Sequence, residues 1–207
     1  MTDEDRGLVD RLRRVVLIVA CLNLGYFFVE FTVARVIGSV SLLADSVDFL
    51  EDTAINVLIW VALGWPMAHR AVLGRVMALV ILGPATVAAV EAWRKVGSPE
   101  PPEVGPLVWA SLGAIAINAT CAWLLARVRH EGGSLTRAAF VSARMDVLVN
   151  IAIIAMGVVT AATASGWPDV VLGVLIIGLA LHAAYEVWEA SEEERLGAKA
   201  LAGEDLD

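Results

Sequence analysis

Six apolar stretches, separated by short polar or glycine- and proline-containing breaks, dominate the pattern of the chain. They cover residues 15–37, 41–63, 76–93, 106–125, 135–164 and 170–187. Each stretch is long enough as a helix to cross, or nearly cross, the roughly 30 Å hydrocarbon core of a bilayer. Backbone polar groups must be paired within lipid, so such stretches must be helical. The pattern therefore predicts an all-α integral membrane protein, built as a six-transmembrane-helix bundle.

The composition supports a membrane protein and excludes several other classes. Apolar residues make up 58 % of the 207 residues and charged residues only 18 %, against about 45–50 % and about 25 % in soluble domains. No polar segment is long enough to form a large soluble catalytic domain. The net charge of −8 argues against a nucleic-acid partner.

Basic residues are distributed asymmetrically between the two sides of the predicted bundle. Eleven of the 15 lie in segments on the side of the N-terminus, whereas only Arg94 and Lys95 lie in loops on the opposite side. Cytoplasmic loops carry the excess of lysine and arginine, which places both termini in the cytoplasm. We expect a cytoplasmic segment over residues 1–14, a transmembrane domain over 15–188 and a disordered, acidic cytoplasmic tail over 189–207.

Acidic side chains inside the predicted spans are the most informative feature of the sequence. The first span contains Glu30, the fifth contains Asp146, and the second contains Asp45, Asp48, Glu51 and Asp52. Each ionised side chain at the bilayer centre costs about 2.5–3.5 kcal/mol, so protons, a cation or basic partners must neutralise them. Arg144, two positions from Asp146, lies on a different helix face. A bound cation or bound protons explain the acids better than hydrogen-bonded carboxyl groups that only join helices.

Helical spacing brings several of these acids to a common depth. Asp45, Asp48 and Asp52 lie at i, i+3 and i+7 on one face of the second span. Ser142, Asp146 and Asn150 form a similar stripe on the fifth. Asp52 and Asp146 each lie about 16 Å from the surface at which their helix enters the membrane. The sequence therefore predicts that carboxylates of two antiparallel helices meet near the midplane, in a cluster suited to a divalent cation.

Several motifs, in the same order along the chain, resemble the transmembrane domain of the cation diffusion facilitator family of metal transporters. They are NLGYFFVEFTVARVIGSVSLLADSVDFLEDT from Asn23, SPEPPEV from Ser98, GAIAINATCAWLL from Gly113 and SGWPDVVLG from Ser165. The resemblance extends over all six predicted helices. It implies a secondary active transporter that exports a divalent metal cation in exchange for protons, and in that case the protein is not an enzyme. Family members commonly carry a cytoplasmic metal-binding domain after the sixth helix, and we expect this chain to be a short form without it.

The resemblance also assigns roles to individual residues. Asp48 and Asp52 fill the paired ligand positions of the second helix, and Asp146 fills one ligand position of the fifth. Ser142 stands where the family usually has His or Asp, which makes it a weak ligand and leaves the remaining coordination to water, Ser142 or Asn150. Supporting or proton-handling roles are expected for four further residues: Asp45, Glu30, Asn150 and Asn118.

Zinc is the favoured cargo because it is the commonest substrate of the family, although a site made only of oxygen ligands also suits manganese or ferrous iron. No resident cofactor is expected. The expected partners are membrane lipid, the metal ion, protons and a second copy of the chain in a homodimer. A bacterial inner (plasma) membrane is the expected location.

Two other functions share features with this sequence. The first is a non-transporting partner subunit of a full-length relative, which Ser142 and the short C-terminal region would fit. The second is a membrane enzyme, since CDP-alcohol phosphotransferases also carry a DxxxD motif. Their preceding Asp-Gly pair is replaced here by Glu30-Phe31, and Ala44 stands in place of a required glycine.

Overall fold

The computed structural model describes residues 3–62, 67–128 and 133–202, and within these residues the regular secondary structure is all α-helix. Six helices follow one another: α1 (Asp3–Ile37), α2 (Val40–Ala62), α3 (Met67–Val96), α4 (Val104–Ala126), α5 (Gly133–Thr163) and α6 (Trp167–Ala202). All six predicted helices are therefore present. Two of the expected breaks between stretches, at residues 64–66 and 131–133, lie outside the described residues except for Gly133, which begins α5.

The predicted break at Gly38 is a short turn between α1 and α2. Gly38 adopts a φ of 66°, a left-handed conformation that glycine tolerates without a Cβ clash. The Ser39 amide then donates to the Ala34 carbonyl at 3.1 Å, which closes the end of α1 as a Schellman motif. Ser39 also caps α2, since its Oγ accepts a hydrogen bond from the Leu42 amide at 3.2 Å.

Five of the six helices are long and apolar enough to cross a membrane, and α2 is the exception. Its four acidic residues lower its mean hydropathy, although the helix lies inside the bundle. Of its 23 residues, 16 are buried within the bundle, and it packs against α1, α3, α5 and α6. The other helices thus shield α2 from lipid, and the chain is an all-helical integral membrane protein.

Pairwise packing of the helices positions the candidate site. α3 packs extensively against α6, α1 against α2, and α4 against α5. α2 also contacts α5 along part of its length, and α5 contacts α6. The acidic face of α2 consequently lies at a junction of α2, α5 and α6.

The C-terminal region differs from the expected disordered tail. α6 continues without a break to Ala202, and residues 203–207 lie outside the described part of the chain. Glu192 accepts a hydrogen bond from Arg195 at 2.8 Å, one turn along α6, and also pairs with Arg75 of α3. Together with the Arg75 guanidinium over the Trp188 ring, these contacts stabilise the extra turns of the helix.

Asp169, near the start of α6, connects α6 to the turn between α1 and α2 through hydrogen bonds. Its Oδ2 accepts a hydrogen bond from the Val40 amide at 2.8 Å. Its Oδ1 accepts one from the Ser39 hydroxyl at 2.6 Å and two from Ser41, through the hydroxyl at 2.6 Å and the amide at 3.1 Å. Lys95 at the end of α3 lies 3.9 Å from the same carboxylate. A negative charge at the N-terminus of α2 also interacts favourably with the helix dipole.

Candidate cation site

A cavity of about 200 Å³ lies where α2, α5 and α6 meet, and its polar lining is acidic. Four of the lining side chains are carboxylic acids, and none of the lining residues is basic. The polar lining residues are Asp48, Glu51, Asp52, Ser142 and Asp146. The structure therefore brings together the three acids that the sequence predicted to meet near the midplane, with Ser142 beside them.

The Asp52 side chain accepts hydrogen bonds from two other helices. The Ser142 hydroxyl of α5 donates to its Oδ1 at 3.2 Å, and the Asn23 amide of α1 donates to its Oδ2 at 3.4 Å. Asp52 is only 4 % exposed, so these two donors account for much of the polar environment of its carboxylate. Cys121 of α4 lies behind them, with its Sγ 3.8 Å from Asn23 Oδ1.

The α5 side of the cavity is formed by Ser142 and Asp146, both half-buried. Asn150, the third residue of the predicted stripe, does not line the cavity. Its Nδ2 donates instead to the Asp146 carbonyl at 3.1 Å, within the same helix. Asn118 of α4 is buried, its Oδ1 has no hydrogen-bond partner, and it also lies away from the cavity lining.

The acids share a cavity without forming a finished coordination shell. Within the described ranges, no three His, Cys, Asp or Glu side chains are grouped closely enough to hold a metal ion as they stand. Coordination of one ion by Asp48, Asp52 and Asp146 would therefore require side-chain movement toward the centre of the cavity.

Glu30 and Asp45 form a separate buried pair of carboxyl groups between α1 and α2. Glu30 is completely buried and Asp45 is 1 % exposed, and their side chains lie next to each other. Within the described residues, their oxygens accept no hydrogen bond of regular geometry from an N–H or O–H group, although the Asn150 side chain lies beside Asp45. Neither acid lines the cavity, and a supporting or proton-handling role for them stays a prediction.

Sequence reasoning missed two polar residues near this site. Glu51 lies off the Asp45–Asp48–Asp52 stripe and is not among the predicted ligands, yet it lines the cavity because α6 packs beside α2 on that side. Asn23 has no predicted role, although its position on the first span, among apolar residues, marks it as a buried polar group that needs a partner.

The site can exchange positive charges. Four carboxylic acids face one cavity, and no basic side chain is among its described lining residues. Any ionised pair among these acids therefore needs a cation or a proton to compensate it. Ser142 and the carboxylate oxygens are hard ligands, suited to a divalent metal ion.

Comparison with known proteins agrees with this geometry. No curated protein sequence matched the chain. The family model for the cation efflux transmembrane domain matches residues 16–192, which covers most of the chain and all six helices. The chain therefore belongs to the cation diffusion facilitator family and is an integral membrane cation transporter.

Proposed function

We propose that this protein exports a divalent metal cation from the cytoplasm in exchange for protons, with Asp48, Asp52 and Asp146 as the metal ligands. The observation that carries the proposal is the acidic cavity, in which these three carboxylates from α2 and α5 share one space with no basic neighbour in its wall. Glu51 adds a fourth carboxyl group, and Ser142 orients Asp52.

Exchange with protons follows from the ligand chemistry. A carboxylate coordinates a metal only when it is deprotonated, so metal binding releases protons and proton binding releases metal. A cavity that opens to the two sides of the membrane in turn converts this competition into antiport. Protons entering from the outside then drive metal outward.

Zinc is the first choice of cargo, and manganese and ferrous iron are the alternatives. Zinc is the commonest substrate of the family, and it accepts carboxylate ligands. The cavity wall nevertheless contains no histidine or cysteine, and oxygen ligands suit manganese and ferrous iron as well.

The test is transport by the purified protein in proteoliposomes with a pH dye inside and a panel of metals outside. We expect metal-dependent proton movement in the wild type, and its loss in Asp146→Asn. Glu103→Gln is the matched control, because Glu103 is an exposed carboxyl group that caps no amide with its side chain. Wild-type flux in the Asp146 variant, or equal loss in the control, would contradict the proposed site.

A second candidate is a partner subunit that does not transport by itself, and Ser142 is the observation that favours it. A hydroxyl group in a ligand position weakens metal binding relative to an imidazole or a carboxylate. The two functions are separated by assaying the protein alone. Metal-driven proton flux from the purified protein identifies a transporter, whereas metal binding without flux identifies a partner subunit.

A further inference from the structure

A second cavity, separate from the acidic one, lies in the surface between α4 and α5. It has a volume of about 540 Å³. Its lining is apolar with a single exception, the guanidinium of Arg144; the apolar lining includes Ala119, Ala122, Val141, Met145 and Leu148. We refer to these residues with Arg144 as the α4–α5 groove.

Among the residues that the structure describes, Arg144 has no anionic partner. The side chain is exposed, and its interaction within the described residues is with the ring of Phe140, whose centroid lies 5.6 Å away. The span of α5 begins at Thr136, so Arg144 lies about 12 Å along the helix from that end. A guanidinium this deep in a membrane span requires an anion, a polar partner or a path to the interface.

The geometry of α5 directs Arg144 toward the cytoplasmic leaflet. Side chains of a helix lean toward its N-terminus, and the N-terminus of α5 faces the cytoplasm in the orientation that the basic residues predict. A long arginine stem can therefore reach toward the headgroup layer while its methylene groups remain in the groove. Arg127, with its guanidinium 3.6 Å from the centroid of the exposed Trp123 ring, adds positive charge at the end of α4 on the same side.

We propose that the α4–α5 groove binds an anionic phospholipid of the cytoplasmic leaflet, with its phosphate on Arg144 and an acyl chain along the apolar wall. A guanidinium pairs with phosphate through two parallel hydrogen bonds, which supplies the missing partner of Arg144. The apolar lining provides the surface for the chain. An anionic headgroup is favoured over a zwitterionic one because Arg144 and Arg127 both contribute positive charge.

The groove also adjoins the acidic cavity. Met145 lines both spaces, so a bound acyl chain would support the wall that separates the lipid from the cation site. The proposal does not depend on transport, because it concerns lipid binding to a surface outside the acidic cavity.

Native mass spectrometry of the purified, delipidated full chain tests the proposal. The protein is titrated with phosphatidylglycerol and with phosphatidylcholine of the same chain length. We expect tighter binding of the first phosphatidylglycerol, and about a tenfold loss of that binding in Arg144→Gln. Arg94→Gln is the control, since Arg94 is an exposed arginine at the opposite end of the bundle from the proposed headgroup position.

A second variant distinguishes a specific loss of lipid binding from misfolding of the protein. Ala119→Phe fills the groove from an exposed position and retains Arg144, and we expect it to weaken binding of the same lipid while α-helical content is unchanged. Unaltered phosphatidylglycerol binding in both variants would overturn the proposal, as would equal binding of the two lipids by the wild type. Loss of a dimer in Arg144→Gln, with lipid binding unchanged, would show that a second copy covers the groove and would also overturn it.

Discussion

The hydroxyl of Ser142 on α5 donates a hydrogen bond to Oδ1 of Asp52 on α2, across 3.2 Å. This bond joins two helices at the cation site and occupies an oxygen that the proposal assigns to the metal. Ser142 thus positions Asp52, a proposed metal ligand, whichever role Ser142 itself has toward a metal. Its neighbour one turn along α5, Asp146, lines the same cavity.

Ser142→His should shift the selectivity of the transporter toward zinc. An imidazole adds a nitrogen ligand that zinc prefers more strongly than manganese does. We expect the ratio of zinc to manganese transport to rise by about tenfold, equivalent to about 1.4 kcal/mol. Competition between the two metals in proteoliposomes measures this ratio. Ser142→Ala serves as the comparison, and a ratio unchanged by histidine would place residue 142 outside the coordination sphere.

The main acids of the site could be predicted because helical periodicity and membrane depth fix their positions. Asp52 and Asp146 lie on antiparallel spans at similar depth, and any packing of α2 on α5 brings them near each other. Glu51 could not be placed in this way. Whether it faces the cavity depends on where α6 packs beside α2, which involves contacts between segments more than 120 residues apart in the sequence, as in Asp169 with Ser39 and Val40.

Asp169→Ala should destabilise the protein strongly although the residue lies outside the cation site. The substitution removes the carboxylate that accepts four hydrogen bonds at the start of α2. It also leaves the Lys95 ammonium group beside an empty, buried space. Breaking such a buried charged contact costs about 3–5 kcal/mol. Thermal unfolding can be followed through labelling of the buried Cys121 by a thiol-reactive dye, in a Cys21→Ser background because Cys21 is exposed.

Glu189→Ala is the control for this measurement, because Glu189 is an exposed acid on the same helix. We expect its melting temperature to match that of the parent protein. A melting temperature of Asp169→Ala within one degree of the parent would show that the contact adds little to stability.

The role of Asp169 was not predictable from the sequence, even though the SGWPD segment marked the start of the sixth helix. An aspartate near a helix start ordinarily interacts with its own helix. Here it caps a different helix, because α6 packs against α2 and brings the carboxylate to Val40. The continuation of α6 to Ala202 was missed for a related reason: its support comes partly from Arg75 on α3, which the local charge pattern does not reveal.

Gly166→Ala should lower stability through a steric clash. The Gly166 amide donates to the Pro99 carbonyl at 3.1 Å, and a Cβ at this position would lie 2.6 Å from the carbonyl oxygens of both Pro99 and Glu100. The α3–α4 loop would have to move, at a cost of about 1–3 kcal/mol. Gly105→Ala is the matched control, since a Cβ there meets no atom within 4 Å and alanine favours the helix. Equal melting temperatures for the two variants would contradict the clash.

Glu30→Gln should raise the thermal stability of the protein. In the parent, the carboxyl groups of Glu30 and Asp45 lie together, and within the described residues their four oxygens accept no hydrogen bond of regular geometry from an N–H or O–H group. A glutamine of nearly the same shape removes one of the two acids and supplies an amide donor to Asp45, for a net gain of about 1–2 kcal/mol. The dye assay on Cys121 should therefore show an increase of a few degrees in melting temperature. The exposed Glu103→Gln exchange makes the same chemical change without burial and should leave the melting temperature unaltered. A decrease in Glu30→Gln would mean that Glu30 is ionised in the folded protein and stabilised by a bound cation, which would extend the cation site one helical turn beyond the acidic cavity.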